Sequence, residues 1–371
     1  MNGSICFLGN ASSIHTVRWA NYFSERGWGV NLITWRKPTV NNRIHRNVVV
    51  HRIIFPAYSL MIIPALLEII PALRKIKPDI IHAHYISTFG ILAGLYSRLF
   101  KKKPLVLSAW GSDVLLSRTP WMKRILHCTL NQADIIICDA DHIAQALSKF
   151  TLHPERIHLI NFGTDIDLFK PKKAEPKLQE ALNLGDAPVV ISLRNLSPVY
   201  DVGSLIAAVP FVLCEYPDTR FLVAGDGKQR NHLGAMAKML GVSHSVTFIG
   251  SIANDELPNY INLADIYVST SLSDAGLAAS TAEAMSCGLP VVVTDFGDNR
   301  KWVEDGVNGF VVPLKNPQVL AQMIIYLISI GDEKDKMGRH GRQLIATRNN
   351  REIEMGKVEG LYKMMIEGNK C

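Results

Sequence analysis

Short, continuous apolar segments alternate with amphipathic segments along almost the whole chain, and this alternation constrains the fold more than any single motif. The apolar segments lie at residues 5–8, 30–34, 48–53, 80–84, 105–109, 135–138 and 157–160, and again at 189–193, 221–224, 246–249, 266–269, 291–294 and 310–312. Strands that are apolar throughout are buried on both faces, and helices between them join parallel strands. The sequence therefore predicts an α/β protein with doubly wound parallel sheets.

The alternation pauses at FKPKKAEPKLQEALNLGDAP, residues 169–188, which is typical of a linker. A chain of 371 residues is also too long for one compact core. We therefore expect two Rossmann-like domains, residues 1–171 and 172–350, facing each other across a cleft, and a C-terminal helix at 351–371 that packs back on the first domain. In such domains ligands bind beyond the carboxyl ends of the strands.

Charge is unevenly divided between the two predicted domains. Residues 1–171 carry 20 Lys and Arg against 10 Asp and Glu, whereas the remainder carries 20 against 23. This asymmetry indicates that the first domain faces something anionic. We expect no nucleic acid, because no binding motif accompanies the charge. The basic segments LFKKKP (99–104) and WMKR (121–124) form either a solvated face or a contact for an anionic membrane surface.

The apolar segment at residues 53–73 is long enough to span a membrane, but three prolines and Glu68 interrupt it. We expect an amphipathic helix there and no transmembrane helix. Six cysteines without a CxxC spacing, and no secretory leader, predict a reduced, cytoplasmic protein. The basic and apolar surfaces extend this prediction to peripheral association with the inner face of the cell membrane.

The segment STSLSDAGLAASTAEAMSCGLPVVVTDFGDNRKW, residues 269–302, passes from a strand through small residues into a short helix and the next strand. Ser280 and Glu283 have the spacing of a capping box. The unpaired amides at a helix start also attract an anion. Both interpretations can hold together, but a cap alone does not explain the small residues that would let a diphosphate approach the backbone, Gly276, Ala278 and Ala279.

Polar residues follow several other predicted strands. Arg194 follows the strand 189–193, where its planar donors would suit a diphosphate; the alternative is an exposed loop arginine. His82 and His84 alternate on one strand and should share a face, but no further ligands are evident, so we expect no metal. Asp113 either caps a helix or orients an acceptor. The GDG at 225–227 lacks the third glycine of a dinucleotide-binding pattern, so NAD is not expected.

The segment EAMSCGLPVVVTDFGDNRKWVEDGVNGFVVPLKNPQVLA, residues 283–321, closely resembles the retaining glycosyltransferases of family 4, with their pattern Glu-x7-Glu-Ala-Met-Ala-x-Gly-x-Pro-Val-Val. Four other segments agree in order: PDIIHAHY, WGSDV, INFGTDIDLFKP and FLVAGDG. The resemblance covers nearly the whole chain. It implies a GT-B fold, a nucleotide-sugar donor in the second domain, an acceptor in the first, and no metal or other cofactor.

Carried onto this sequence, the resemblance implies roles for individual residues. Glu283 would hold the ribose, and Arg194 with the amides near Ala278 and Ala279 would hold the diphosphate. The residues expected under the base are Gly250, Ser251 and Ile252. The acceptor side comprises Gly9, His84 and Trp110, and the further candidates for catalysis are His15, Asp113 and Asp274.

The sequence also departs from the family pattern. Ala275 stands where the first Glu of the pattern is usual, and Asp274 either replaces that Glu or only lies near the sugar. Tyr200 stands where a second cation is common, and the candidates to replace that cation are Lys228 and Arg300. Trp110 stands where His is common.

These features predict a retaining glycosyltransferase that moves a sugar from a nucleotide-sugar to a hydroxyl of a glycan or lipid-linked glycan. The alternative is a non-catalytic nucleotide-sugar-binding subunit with the same fold, which Ala275 makes plausible.

Overall fold

The computed structural model describes residues 2–38, 43–56, 61–100, 103–115, 119–161, 163–274 and 276–368. The chain divides into two compact units, Met1–Phe162 with Glu354–Cys371, and Gly163–Ile353. Each unit is built on one parallel β-sheet with helices between the strands. The predicted fold class, two doubly wound α/β domains, is confirmed.

The first unit has a parallel sheet, and its described strands are β1 (Ser4–Leu8), β2 (Gly29–Thr34), β3 (Val49–Arg52), β4 (Ile80–His84), β5 (Leu105–Ser108), β6 (Ile135–Cys138) and β7 (Ile157–Leu159). Its helices are α1 (Ile14–Glu25), α2 (Ile62–Ile76), α3 (Ile91–Phe100), α4 (Ser112–Leu115), α5 (Pro120–Leu130) and α6 (Asp141–Ser148). The strand order is β3-β2-β1-β4-β5-β6-β7, so the direction of winding reverses between β1 and β4.

The second unit repeats this plan, with strands β8 (Val189–Ser192), β9 (Arg220–Ala224), β10 (Val246–Gly250), β11 (Ile266–Ser269), β12 (Val291–Thr294) and β13 (Gly309–Val312). Its helices are α7 (Pro176–Ala181), α8 (Val202–Glu215), α9 (Arg230–Met239), α10 (Leu257–Ile261), α11 (Ala279–Ser286), α12 (Asn299–Trp302), α13 (Pro317–Ser329) and α14 (Glu333–Arg348). The order β10-β9-β8-β11-β12-β13 reverses between β8 and β11.

The core of the second unit explains why its strands are apolar throughout. Val190 and Val292 belong to one buried cluster, which includes helices α8 and α13. Their chain neighbours Ile191 and Val291 belong to a separate cluster that includes α11. Successive side chains of a strand point to opposite faces, so β8 and β12 each contribute apolar residues to both cores.

Helix α2 replaces the candidate membrane span. It is amphipathic and contains Pro71, with Ile69 and Leu73 buried and Ile63 and Leu67 exposed. Among the described residues no helix combines the length and the hydropathy that crossing a bilayer requires.

The unit boundaries differ from those expected at residues 171 and 350, since they fall after Phe162 and Ile353. Residues 163–171, which overlap the start of the predicted linker at residue 169, are tied into the second unit. Phe169 is buried in its core, and Arg342 Nη1 donates to the Phe169 carbonyl at 3.2 Å. The backbone N–H of Thr164 also donates to the carbonyl of Asn349 at 2.6 Å.

The last helix, α15 (Arg351–Gly368), belongs from Glu354 onward to the first unit. Tyr362 is fully buried there, and its hydroxyl is hydrogen-bonded to Nδ1 of His82 in β4. Trp28 Nε1 donates to Glu359 Oε1 at 3.4 Å. The end of the chain therefore completes the core of the unit in which the chain begins.

Two glycines of α14 give a test of packing in the second unit. A Cβ at Gly338 would collide with the carbonyl oxygen of Gly288, whereas a Cβ at Gly341 would make ordinary 3.6 Å contacts with Met285. We expect Gly338→Ala to lower the free energy of unfolding by about 1–3 kcal/mol, as overpacking does. Gly341→Ala should be neutral or stabilising, because alanine favours a helix by about 0.5–1 kcal/mol. Urea unfolding measures both, and equal effects would contradict this packing.

Candidate functional site

The candidate site of the second unit lies where the winding of its sheet reverses. Strands β8 and β11 are neighbours there, and the segments that follow them carry Arg194 and residues 270–274. The start of α11 comes next in the chain. At such a reversal the loops diverge and leave a crevice at the carboxyl ends of the strands, where ligands bind in this type of sheet.

Arg194 is the central group of this site and is 8% exposed. Its Nη2 donates to Asp274 Oδ1 at 2.5 Å and to Ser271 Oγ at 3.3 Å, and its Nη1 donates to Ser280 Oγ at 3.2 Å. Burial is the largest single effect and lowers the pKa of Arg194, but the Asp274 carboxylate together with Tyr267 and Tyr200 outweighs it, so the pKa is raised. The alternative of an exposed loop arginine is wrong.

Two tyrosines hold this arrangement. The guanidinium carbon of Arg194 lies 4.3 Å from the centre of the Tyr200 ring, a cation–π contact. Tyr267 is fully buried in β11, and its hydroxyl lies 2.8 Å from Ser280 Oγ. Thr270 Oγ1 donates to the carbonyl of Tyr200 at 3.1 Å and so joins the two loops. Tyr200 thus occupies the position where the family pattern commonly has a second cation, and its aromatic ring faces Arg194.

The expected capping box is wrong. Helix α11 has Ala278 as its N-cap, and no side chain caps it. Ser280 lies inside the first turn, and its hydroxyl contacts Arg194 and Tyr267. The amide of Ala282 donates to the Ala278 carbonyl at 3.0 Å, so the amides of residues 279–281 precede the helical ladder. The small residues therefore lead to a helix start with no side-chain cap.

Glu283 is the predicted ribose ligand and lies in the middle of α11, 4% exposed. Burial, and then the nearby Glu283 carboxylate, raise the pKa of Cys287 to about 12. Gly276 is buried just before the helix. Ala275 lies outside the described residues. The ribose role of Glu283 remains a prediction.

The predicted base-binding segment follows β10. Gly250 ends that strand in the left-handed region, with φ 85°, and its carbonyl accepts from the amide of Gly225 at 2.8 Å. Ser251 is exposed and Ile252 half-buried. A Cβ at Gly225 would collide with the carbonyl oxygen of Arg194. The glycines of the GDG segment therefore allow its backbone to pack directly against the backbone of the loop that carries Arg194.

The two candidate second cations lie elsewhere in the unit. Arg300 Nη2 pairs with Asp295 Oδ2 at 2.7 Å, and both side chains are largely exposed. Lys228 is exposed in the segment after β9. Neither contributes to the hydrogen bonds of Arg194 described above.

The first unit gathers the other predicted residues at the carboxyl ends of β1, β4 and β5. Gly9 follows β1, and a Cβ there would lie 2.7 Å from Thr16 Cγ2. Thr16 Oγ1 lies 3.5 Å from His84 Nδ1. The ring of His15, in the first turn of α1, stacks on Trp110 with centroids 4.9 Å apart. The sequence reasoning thus selected residues that are neighbours.

His82 and His84 share a face, as expected, with ring centroids 4.8 Å apart and both side chains fully buried. His82 Nε2 lies 2.7 Å from Ser108 Oγ, so both of its nitrogens are engaged. Burial, with the neighbouring His15 second, lowers the pKa of His84 to about 3. No group of three potential metal ligands occurs among the described residues.

Asp113 lies inside the first turn of α4 rather than before it, and its expected role in orienting an acceptor remains a prediction. It is buried, and its two carboxylate oxygens accept from the amides of Ile86 at 2.7 Å and Trp110 at 2.9 Å. Burial raises the pKa of Asp113 to about 6 against the opposing effect of these donors. This carboxylate therefore fixes two backbone segments that flank the site of the first unit.

Several residues of these sites escaped the sequence analysis. Tyr85 has φ 67° and begins a π-helical turn, Tyr85–Gly90, directly after β4. Both features are concentrated at functional sites, but nothing in the local sequence predicts them. The sequence also contains no sign of which residues surround Arg194, because the strand order alone brings them together. These residues are Tyr200, Tyr267, Ser271 and Ser280.

Both units match known protein families. Residues 174–344 match the family model described as glycosyl transferases group 1, and residues 4–140 match the model described as glycosyl transferase 4-like.

Two relatives are similar over part of the chain. Spore coat protein SA of Bacillus subtilis is 26% identical over 56% of this chain, and the chain spans 59% of that relative's length. The GDP-mannose-dependent alpha-(1-6)-phosphatidylinositol monomannoside mannosyltransferase of Mycolicibacterium smegmatis is 29% identical, with 68% of each chain covered.

Two solved structures share the fold. Sucrose-phosphate synthase from Thermosynechococcus elongatus has a TM-score of 0.84 at 18% identity, covering 99% of this chain and 100% of its own. Anabaena HepE, in complex with UDP and glucose, has a TM-score of 0.81 at 23% identity, covering 97% of this chain and 99% of its own.

The buried His84 gives a pH test. Its pKa is about 3 in the folded chain and near 6.5 when unfolded, so only the unfolded chain binds this proton between those values. His84 should therefore contribute a fall of about 1.4 kcal/mol per pH unit in the free energy of unfolding as the pH decreases through this window, in addition to the contributions of the buried His15 and His82, whose pKa values are also lowered. His84→Gln should reduce the slope by that contribution between about pH 6 and 4. Urea unfolding measures it, with exposed His244→Gln as control; a His84→Gln slope equal to wild type would contradict the burial.

Proposed function

The chain belongs to the family 4 glycosyltransferases with the GT-B fold, and on that premise we propose that it is a retaining enzyme. It transfers a sugar from a nucleotide-sugar to a hydroxyl of a glycan or lipid-linked glycan. The observation that carries this proposal is the convergence of Arg194 on the start of α11, through the 3.2 Å hydrogen bond to Ser280.

That convergence suits a diphosphate for two reasons. Arg194 offers a fixed planar cation, and the amides of residues 279–281 lie at the positive end of the α11 dipole. Gly276, Ala278 and Ala279 allow the phosphate oxygens to approach the backbone. Glu283 accepts hydrogen bonds from the ribose, and Gly250, Ser251 and Ile252 lie under the base.

Transfer breaks the bond between the sugar anomeric carbon and the diphosphate oxygen, and forms a bond to the acceptor oxygen on the same face. The acceptor proton passes to the departing diphosphate. Arg194 and the helix dipole stabilise the charge that develops on this leaving group. We propose that these groups supply the positive charge in place of a metal ion.

The acceptor binds to the first unit at the half-buried Trp110, while the buried Gly9 and His84 act through their neighbours rather than by direct contact. His15 stacks on Trp110, and Asp113 holds the backbone amides of Trp110 and Ile86, so both position the acceptor side. The name of the mycobacterial relative specifies a phosphatidylinositol glycolipid as its acceptor, which supports a lipid-linked acceptor here.

A lipid-linked acceptor requires the enzyme to reach a membrane, and the first unit has a suitable surface. Ile63 and Leu67 lie one turn apart on α2 and are 70% and 66% exposed. Ile54, 82% exposed, is tied to the same helix because its amide donates to Glu68 Oε2 at 2.7 Å. Basic residues follow along α2 and just after it, namely Arg74, Lys75 and Lys77. We propose that this face binds anionic lipid on the cytoplasmic side of the membrane.

Replacement of Arg194 tests the catalytic proposal. Arg194→Ala should reduce turnover about 100-fold or more, which is the usual cost of removing one group that stabilises developing negative charge. Transfer is measured with radiolabelled nucleotide-sugars and a membrane extract, after thermal-shift screening of candidate donors. Arg300→Ala is the matched control, because Arg300 pairs with Asp295 on the surface. Near wild-type turnover in Arg194→Ala would remove Arg194 from the mechanism, and binding without transfer by the wild type would favour a binding subunit.

Liposome flotation tests the membrane proposal. The wild type should float with anionic vesicles at low salt and be released at high salt, since each basic residue near the surface contributes about 1 kcal/mol and is screened. Replacing both Ile63 and Leu67 with Asp should reduce flotation. Met239→Asp, at an 81% exposed apolar position of the second unit, is the control. No flotation of the wild type at low salt would contradict the proposal.

A further inference from the structure

One donor of Arg194 that a diphosphate would require, Nη2, is occupied by a carboxylate of the protein itself. Arg194 and Asp274 form an ion pair with a separation of 2.5 Å, and their side chains are 8% and 12% exposed. Asp274 is carried by the segment between β11 and α11, so it lies in the same loop as the proposed phosphate site. The Asp274 carboxylate therefore lies beside Arg194, where a phosphate group of the ligand would bind.

A phosphate and Asp274 cannot both remain on this guanidinium at low cost. Two like charges a few ångströms apart in a buried site repel each other strongly, because little solvent screens them. One of them must leave when the other binds. The remaining contacts of Arg194 favour departure of Asp274, because the guanidinium is held independently by Ser271, Ser280 and the Tyr200 ring.

We propose that Asp274 is an internal counter-ion of Arg194 that a diphosphate displaces on binding. This inference rests on the proposed function for the identity of the anion. Asp274 neutralises the buried arginine in the unliganded protein and competes with every anion that enters. A doubly charged phosphate group overcomes this competition more readily than a singly charged anion, so the exchange also selects for the diphosphate.

A buried polar atom of Arg194 itself supports the exchange. Its Nε has no hydrogen-bond partner among the described residues. Buried polar groups of this kind are normally satisfied, so this arginine keeps hydrogen-bonding capacity in addition to the ion pair.

The alternative is that Asp274 is a fixed anchor without which Arg194 loses its position. The two roles predict opposite effects of neutralising Asp274. A counter-ion, when removed, leaves Arg194 unpaired and more available, so anions bind more tightly. An anchor, when removed, leaves Arg194 misplaced, so anions bind less tightly or not at all.

Calorimetric titration of the full-length protein with inorganic pyrophosphate distinguishes these roles. Asp274→Asn and Asp274→Ser should each bind pyrophosphate about tenfold or more tightly than the wild type, on the scale of a removed like charge. In an Arg194→Met background, Asp274→Asn should change nothing, because the group for which the two anions compete is gone. Asp295→Asn, which breaks the exposed pair with Arg300, is the control and should bind like the wild type.

Unchanged or weaker pyrophosphate binding by both Asp274 variants, with intact thermal unfolding, would overturn the counter-ion role. So would an equal tightening in the Arg194→Met background. The transfer assay separates this outcome from failure of the proposed function. Sugar transfer without tighter pyrophosphate binding rejects only the counter-ion role, and tighter binding without any transfer rejects only the enzyme.

Discussion

Burial of every central strand on both faces is the constraint on which the rest of this structure depends. In the second unit, alternate residues of one strand belong to two different apolar cores, as with Val190 and Ile191. No polar side chain can then project from the middle of the sheet without a heavy desolvation cost. The charged groups of the candidate site in the second unit lie in the segments after the strands, with Arg194 after β8 and Asp274 after β11.

Placement at the strand ends does not remove the cost of burial, but several of the buried polar groups there have compensating partners. Arg194 has Asp274, and Asp113 has the amides of Ile86 and Trp110. His82 has Tyr362 and Ser108. These partners come from distant parts of the sequence, up to 280 residues apart for His82 and Tyr362. The rigidity of both sites therefore depends on completed folding of each unit.

This dependence explains what the sequence could predict. The strands were predictable because their apolar runs are a local consequence of two-sided burial, and Arg194 was predictable because it directly follows one of them. The capping box failed because α11 begins at Ala279 rather than at Ser280, and the hydroxyl of Ser280 meets groups from β8 and β11 instead. The first domain boundary failed because the contacts of Phe169 with Arg342 are not visible in a Lys- and Pro-rich segment.

The departures at Tyr200 and Asp274 become consistent when the charges are considered together. A second cation at position 200 would lie beside Arg194 with only one carboxylate to neutralise both, and an unpaired buried charge is strongly destabilising. A tyrosine adds no charge, and its ring face attracts the guanidinium at 4.3 Å. One cation, one carboxylate and one aromatic ring make a neutral, preorganised set. Under the proposed function, such a site can remain buried before a donor arrives and has one ionic contact, Arg194 with Asp274, to exchange when the donor binds.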